Sequence, residues 1–214
     1  MFVPNQYREP DGMWMVDLIR RNPLAQLVTN GSAADGPWAT HLPIIQDPGM
    51  TEAWDAGLSG GLLLGHMNRR NPHWSALRTD DVVLLTFTGP HAYVSPTVYQ
   101  KVPAAPTWNF TAVHVHGVVE KIDSLEETLG VVQATVSALE GEMGTGWDMH
   151  DSVNYFRSIV SGVGAFRVRV TAAEGMFKLS QEQEPLVRDR VQESFAERGC
   201  SRHRETAELM NRLP

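Results

Sequence analysis

Residues 108–122 alternate strictly, and no other stretch constrains the fold of this chain as tightly. Trp108, Phe110, Ala112, His114 and His116 fall on one side of an extended backbone. Asn109, Thr111, Val113, Val115 and Val119 fall on the other. Gly117 interrupts the run and reads as a bend or bulge. A period of two sustained over that length is a β signature. Further strands are expected at 24–29, 38–45, 62–67, 82–88 and 164–170. A short separate strand is expected at 92–94, and 176–179 either extends the sheet or leads out of it.

Helical signals flank these strands. Asp11 can cap a helix over 13–21, which Asn22-Pro23 ends. Asn71-Pro72 opens a helical turn towards Leu77. Ser124 with Glu127 forms a capping box for a helix running towards Glu140. Residues 151–160, 185–197 and 202–212 also read as helices, the last two strongly charged. A polar turn through Asn30, Gly31, Ser32 and Asp35-Gly36 joins the first two strands, and 47–60 reads as an excursion. Strands dominate the first two-thirds and helices the last, which implies an α+β protein with an antiparallel barrel packed by peripheral helices. Strand–helix alternation, a GxGxxG after a strand and a P-loop are all missing, so a doubly wound nucleotide fold is not expected.

Composition narrows the function. The 214 residues, 42% hydrophobic and 20% charged, suffice for one substantial core. A net charge of −7 argues against a sequence-independent grip on nucleic acid. The single cysteine, Cys200, permits no intrachain disulfide and no Cys-rich metal site. No window offers the roughly 20 apolar residues of a membrane span, and the N-terminal segment lacks an apolar signal core. The expectation is a cytoplasmic protein.

Three blocks carry the chemistry: GHMNRRNPHW at 65–74, GPHAYVSP at 89–96 and PTWNFTAVHVHG at 106–117. Their crowding of His, Arg, Asn and Trp suits a flat, charged prosthetic group better than a plain core. His66 reads as a strand-end imidazole or as an iron ligand whose second nitrogen a backbone carbonyl orients. Arg69 and Arg70 are solvated, or pair with phosphate or propionates. Trp74 and Trp108 pack in the core or stack on a planar ring, with Asn71 and Asn109 available to its edge. Lys101, in a proline-rich loop, is either exposed or desolvated enough to act as base or ligand. His114 and His116 share a strand face, but no carboxylate completes a zinc set.

These blocks, with Ala39-Thr40-His41-Leu42-Pro43 and the later Phe177-Lys178-Leu179-Ser180-Gln181, resemble the PaiB-like family. Its members are split-barrel proteins of the flavin-reductase type, described as FMN-binding negative transcriptional regulators. The resemblance runs in order over residues 1–181, leaving 182–214 as a helical C-terminal extension. It implies a six-stranded antiparallel split β-barrel of the flavin-reductase/pyridoxamine-oxidase type, with peripheral helices. It also implies a homodimer with cofactor pockets at the interface.

The MFVP opening and the QKVPAAP link at 100–106 are similar to the family's haem-dependent piperazate synthases. Those enzymes convert N5-hydroxy-L-ornithine into L-piperazic acid, forming an N–N bond with loss of water in natural-product biosynthesis. The resemblance then implies haem b, with His66 as axial ligand and Lys101 as distal ligand or base. Arg69, Arg70, Asn71, Trp74 and Trp108 become pocket or propionate residues. The alternative it implies is FMN, its phosphate held by Arg69, Arg70 and Thr107 and its ring facing Trp108, in a regulator or a flavin-dependent oxidoreductase. A haem-degrading oxygenase on the same barrel is a further possibility.

Overall fold

The computed structural model describes residues 1–31, 36–50 and 58–213. Six antiparallel strands close into a barrel: β1 (Leu24–Thr29), β2 (Trp38–Gln46), β3 (Leu62–Asn68), β4 (Val82–Val94), β5 (Thr107–Ile122) and β6 (Val163–Lys178). Their order around the barrel is β1-β2-β3-β6-β5-β4, and β4 closes back onto β1 through pairs such as Gln26↔Thr86. Most of the 30–36 turn and of the 47–60 excursion falls outside the described residues.

The alternation expected of 108–122 holds, with Asn109, Thr111, Val113, Val115 and Val119 turned into the barrel. Leu27, Leu63, Leu85, Phe87, Phe166 and Val168 fill it, all fully buried. Gly117 sits at a register shift, where a Cβ would come within 2.4 Å of Val168 Cγ1. Two expectations are corrected. Residues 82–94 form one strand, because the register shifts between Thr88 and His91 and so absorbs Gly89-Pro90 without ending the ladder. Residues 163–178 likewise form one strand, continuous through the weakly apolar 171–174 stretch because β5 pairs with it on both sides of the bulge.

Six helices surround the barrel: α1 (Met13–Arg21), α2 (Pro72–Ala76), α3 (Leu125–Met143), α4 (Val153–Ile159), α5 (Pro185–Ala196) and α6 (Ser201–Arg212). Asp11 Oδ1 accepts from Met13 N at 2.9 Å, and α1 turns Trp14, Leu18 and Ile19 into the core. Ser124 Oγ accepts from Glu127 N, as the capping box requires. The helix it starts runs past Glu140 to Met143. α3 covers the outer wall of the barrel, joining Val131 to Ile45, Leu64, Ile122 and Ala165 in a second apolar cluster.

The C-terminal helices pack on their own barrel. Val187, Val191, Phe195, Ala207 and Met210 belong to the same apolar cluster as the barrel interior. Arg190 Nη1 donates to Tyr99 O at 3.2 Å, fixing α5 to the 3-10 turn Pro96–Tyr99. Arg212 pairs with Asp17 at 3.1 Å, tying α6 to α1.

Candidate functional site

Strand alternation decides what His66 does. On β3, Leu63 and Met67 enter the barrel core while Leu64 packs under α3. His66 therefore continues the outer face of β3. It opens onto a groove of about 510 Å³ whose walls include Thr40, Pro43, Asn68, Ile159 and Val163. Its Nδ1 is buried and has no hydrogen-bond partner among the described residues. Burial holds the imidazole pKa below its ordinary value of 6.5. The ring is thus neutral at neutral pH and keeps a lone pair. The backbone carbonyl expected to orient its second nitrogen is not there.

Around His66 the other residues of the first block have settled roles. Arg69 Nε donates to Val163 O at 2.8 Å, and its guanidinium lies 5.6 Å from the Trp74 ring centroid. Arg70 is exposed and forms no ion pair among the described residues. Asn71 caps α2, accepting from His73 N at 3.0 Å and donating to Thr40 Oγ1 at 3.3 Å. Trp74 is 7% exposed. Lys121 Nζ lies 4.0 Å from its ring centroid, and Gly164 abuts it so closely that a Cβ would come within 2.4 Å. Within one chain the indole has no free face for a cofactor.

His73 belongs to the same block and sequence reasoning passed it over. It is fully buried, bonded through Nε2 to Thr29 Oγ1 and through Nδ1 to Thr40 Oγ1, both at 2.8 Å. Its ring stacks on Trp38 at 6.0 Å. A short helix whose cap and buried histidine both reach Thr40 fixes one wall of the groove.

The remaining site residues lie elsewhere. His66 pairs with Ala165 near the start of β6, whereas Phe110, two residues beyond Trp108, pairs with Lys178 at its end. About 40 Å of strand path separates the two places. Trp108 is 49% exposed, and its Nε1 donates to His91 Nδ1 at 3.3 Å. The Tyr93 ring meets it edge-on at 5.9 Å. Thr107 Oγ1 accepts from Lys178 Nζ at 2.5 Å, and Lys178 also lies 5.7 Å from the Tyr7 ring centroid. Lys101 is exposed, donates to Gln183 Oε1 at 3.1 Å and lies 5.6 Å from the Tyr99 ring centroid. The desolvation envisaged for Lys101 is not present in the single chain.

This second cluster includes residues that the sequence did not single out: Tyr7, Tyr99 and Lys178. Burial and the nearby Glu182 carboxylate raise both tyrosine pKa values above the ordinary 10.0, with a contribution from Tyr7 at Tyr99. Lys178 is half-buried and has no carboxylate partner among the described residues. An ammonium in that state suits an anionic group of a ligand.

The donor set can be tested against a metal or cofactor. Among the described residues no three His, Cys, Asp or Glu side chains converge as a metal cage would require. The groove offers one neutral imidazole among Leu42, Pro43, Ile159 and Val163, with no carboxylate lining it. A free divalent ion would be poorly held there. Haem iron, already chelated by its macrocycle, needs only one such ligand, so the groove fits haem. Among the described residues no helix is long and apolar enough to cross a membrane.

These features define the class: a closed antiparallel barrel bearing a neutral histidine in an outer groove and an aromatic, cationic cluster at the far end. Residues 1–172 match the family described as "Putative FMN-binding domain", and the chain belongs to that family. It is 28% identical over 213 residues to the protease synthase and sporulation protein PAI 2 of Bacillus subtilis, covering 98% of this chain and 96% of that one. It is 31% identical over 232 residues to an uncharacterised protein of Emericella nidulans, covering 93% and 92%. Structures sharing the fold include an FAD and haem binding protein from Mycobacterium smegmatis, with TM-score 0.56 and 13% identity over 80% of this chain and 73% of that one. A flavocytochrome from Azotobacter vinelandii gives 0.55 and 14% over 80% and 69%. The PaiB-like resemblance and the expected split barrel both stand.

Proposed function

We propose that this chain is a haem-dependent piperazate synthase acting as a homodimer. The observation that carries the reading is the His66 imidazole, neutral, open to a carboxylate-free groove and unpartnered at Nδ1. The wide separation of His66 from the Lys101–Trp108 cluster supports a site shared by two copies, one supplying each part. On this reading the His66 groove of one copy faces the Lys101, Thr107 and Trp108 end of another.

The reaction loses water without net oxidation. In N5-hydroxy-L-ornithine the N5–O bond breaks and a bond from the α-nitrogen to N5 forms, and the α-ammonium proton and the N5 hydroxide depart as water. His66 would hold the iron through its ring nitrogen, and Arg70 would meet a propionate. Bound haem would supply a Lewis-acidic iron that polarises the N–O bond. The protein does the rest. Lys178 would bind the substrate carboxylate beside Thr107. Lys101, moved out of water at the interface, would take the proton from the α-amine. Folding the substrate so that its two nitrogens meet supplies much of the rate, because ring closure is a problem of orientation.

A second reading has its own support. Membership of the FMN-binding family, with the Thr107–Lys178 pair beside an exposed Trp108, suits a flavin phosphate and ring. The test is the visible spectrum of the purified protein, before and after adding haem and dithionite, followed by assay of N5-hydroxyornithine cyclisation. A Soret band near ~400–430 nm that shifts on reduction and is lost in His66→Ala, together with piperazate formation, is the expected result. Flavin bands with no response to haem would overturn the synthase reading in favour of the flavin one.

A further inference from the structure

A second cavity lies outside both clusters, at the seam between α1 and α6. It measures about 330 Å³, within the range of small-ligand pockets. Its floor is apolar: Trp14, Leu18, Pro90, Phe177 and Leu209. Trp14 and Phe177 meet edge to face at 5.4 Å, so the floor is a rigid aromatic corner. Arg212 already lies 4.8 Å from the Trp14 ring centroid, which shows that this ring faces a position where a cation can sit.

The charges on the rim do not cancel within the fold. Asp17 is saturated, accepting from Arg20 at 3.0 Å and from Arg212 at 3.1 Å. That leaves Arg21 on one wall and Glu205 and Glu208 on the other, none with an ion-pair partner among the described residues. Glu205 and Glu208 are three apart on α6 and so share a face. One free guanidinium and two free carboxylates thus stand around an aromatic floor.

We infer that this cavity binds a small amphipathic zwitterion, a free amino acid with an apolar side chain. Its carboxylate pairs with Arg21, its ammonium with Glu205 or Glu208, and its side chain lies on Trp14 and Phe177. A ligand there bridges α1 to α6, so its occupancy stabilises the docking of the C-terminal helix on the barrel. The inference is independent of the haem reading, since none of these residues belongs to the His66 groove or the Trp108 cluster.

The test is calorimetric titration of the full chain with L-phenylalanine, N-acetyl-L-phenylalanine and phenethylamine. L-phenylalanine should bind saturably. The blocked amine and the missing carboxylate should each weaken binding about tenfold or more, the cost of one charged hydrogen bond. Arg21→Gln and the double variant Glu205→Gln/Glu208→Gln should weaken it to the same degree. All three positions are exposed, so both variants keep the fold. Hydrogen exchange should slow in 201–212 on adding L-phenylalanine. No saturable heat up to about 10 mM would overturn the inference. So would equal binding of all three probes, or variants that bind like the parent.

Discussion

Removing the His73 side chain should cost more than removing that of His66, although both are histidines of one short block. His73→Ala deletes two 2.8 Å hydrogen bonds, to Thr29 and Thr40, from a fully buried position. Each is worth about 1 kcal/mol. The vacated ring volume adds a cavity cost of about 1–2 kcal/mol. Together these give roughly 3–4 kcal/mol, or about 6–16 °C in Tm for a chain of this size. A pH signature should accompany the loss. Burial holds the His73 pKa below 6.5, so as pH falls through 6.5 the unfolded chain takes up a proton that the folded chain refuses. Its contribution is fully present above pH 6.5 and declines as pH falls towards the folded value. Calorimetry of parent and variant at about pH 7.5 and 5.5 should show the variant less stable at both and less sensitive to the difference. A Tm drop under about 3 °C, or an unchanged pH slope, would refute the assignment of His73 as a neutral, doubly bonded core group.

Other perturbations follow from the same geometry. His66→Ala should change stability by less than about 1 kcal/mol, because the ring it removes carries an unsatisfied buried nitrogen, and a thermal melt checks this beside the lost Soret band. Gly65→Ala places a Cβ 2.5 Å from Ile44 Cδ1 and from Phe166 Cζ, so chemical denaturation should register a loss of about 1–3 kcal/mol. Lys178→Met should leave the melting temperature nearly unchanged while raising the KM for hydroxyornithine about tenfold or more, which steady-state assays would measure.

Much of the barrel was legible because period-two alternation survives in 108–122 and the hydrophobic runs of the other strands are short and bounded. Two strands were broken in the reading because Gly89-Pro90 carries turn chemistry and 171–174 lacks alternation. Only pairing with β5 carries the chain through both. The site divides in the same way. His66 could be singled out as a strand-end imidazole, but its buried, unpartnered Nδ1 depends on segment 159–163, which sequence does not place beside it. His73 looked like an accessory to Trp74, since nothing local announces that Thr29 and Thr40 converge on it. Lys178 was visible within a motif, yet its contact with Thr107 spans 71 positions and exists only because β5 and β6 pair.

One continuous strand, β6, carries the two clusters at its opposite ends, and this has a genetic consequence. If each complete site draws on two copies, two dead variants can rescue one another. A copy lacking His66 and a copy lacking Lys101, mixed in equal amounts, would form mixed pairs in about half of all dimers. Each mixed pair holds one site with both defects and one with neither. About a quarter of the parent activity should return, whereas a chain that completed its site alone would recover none.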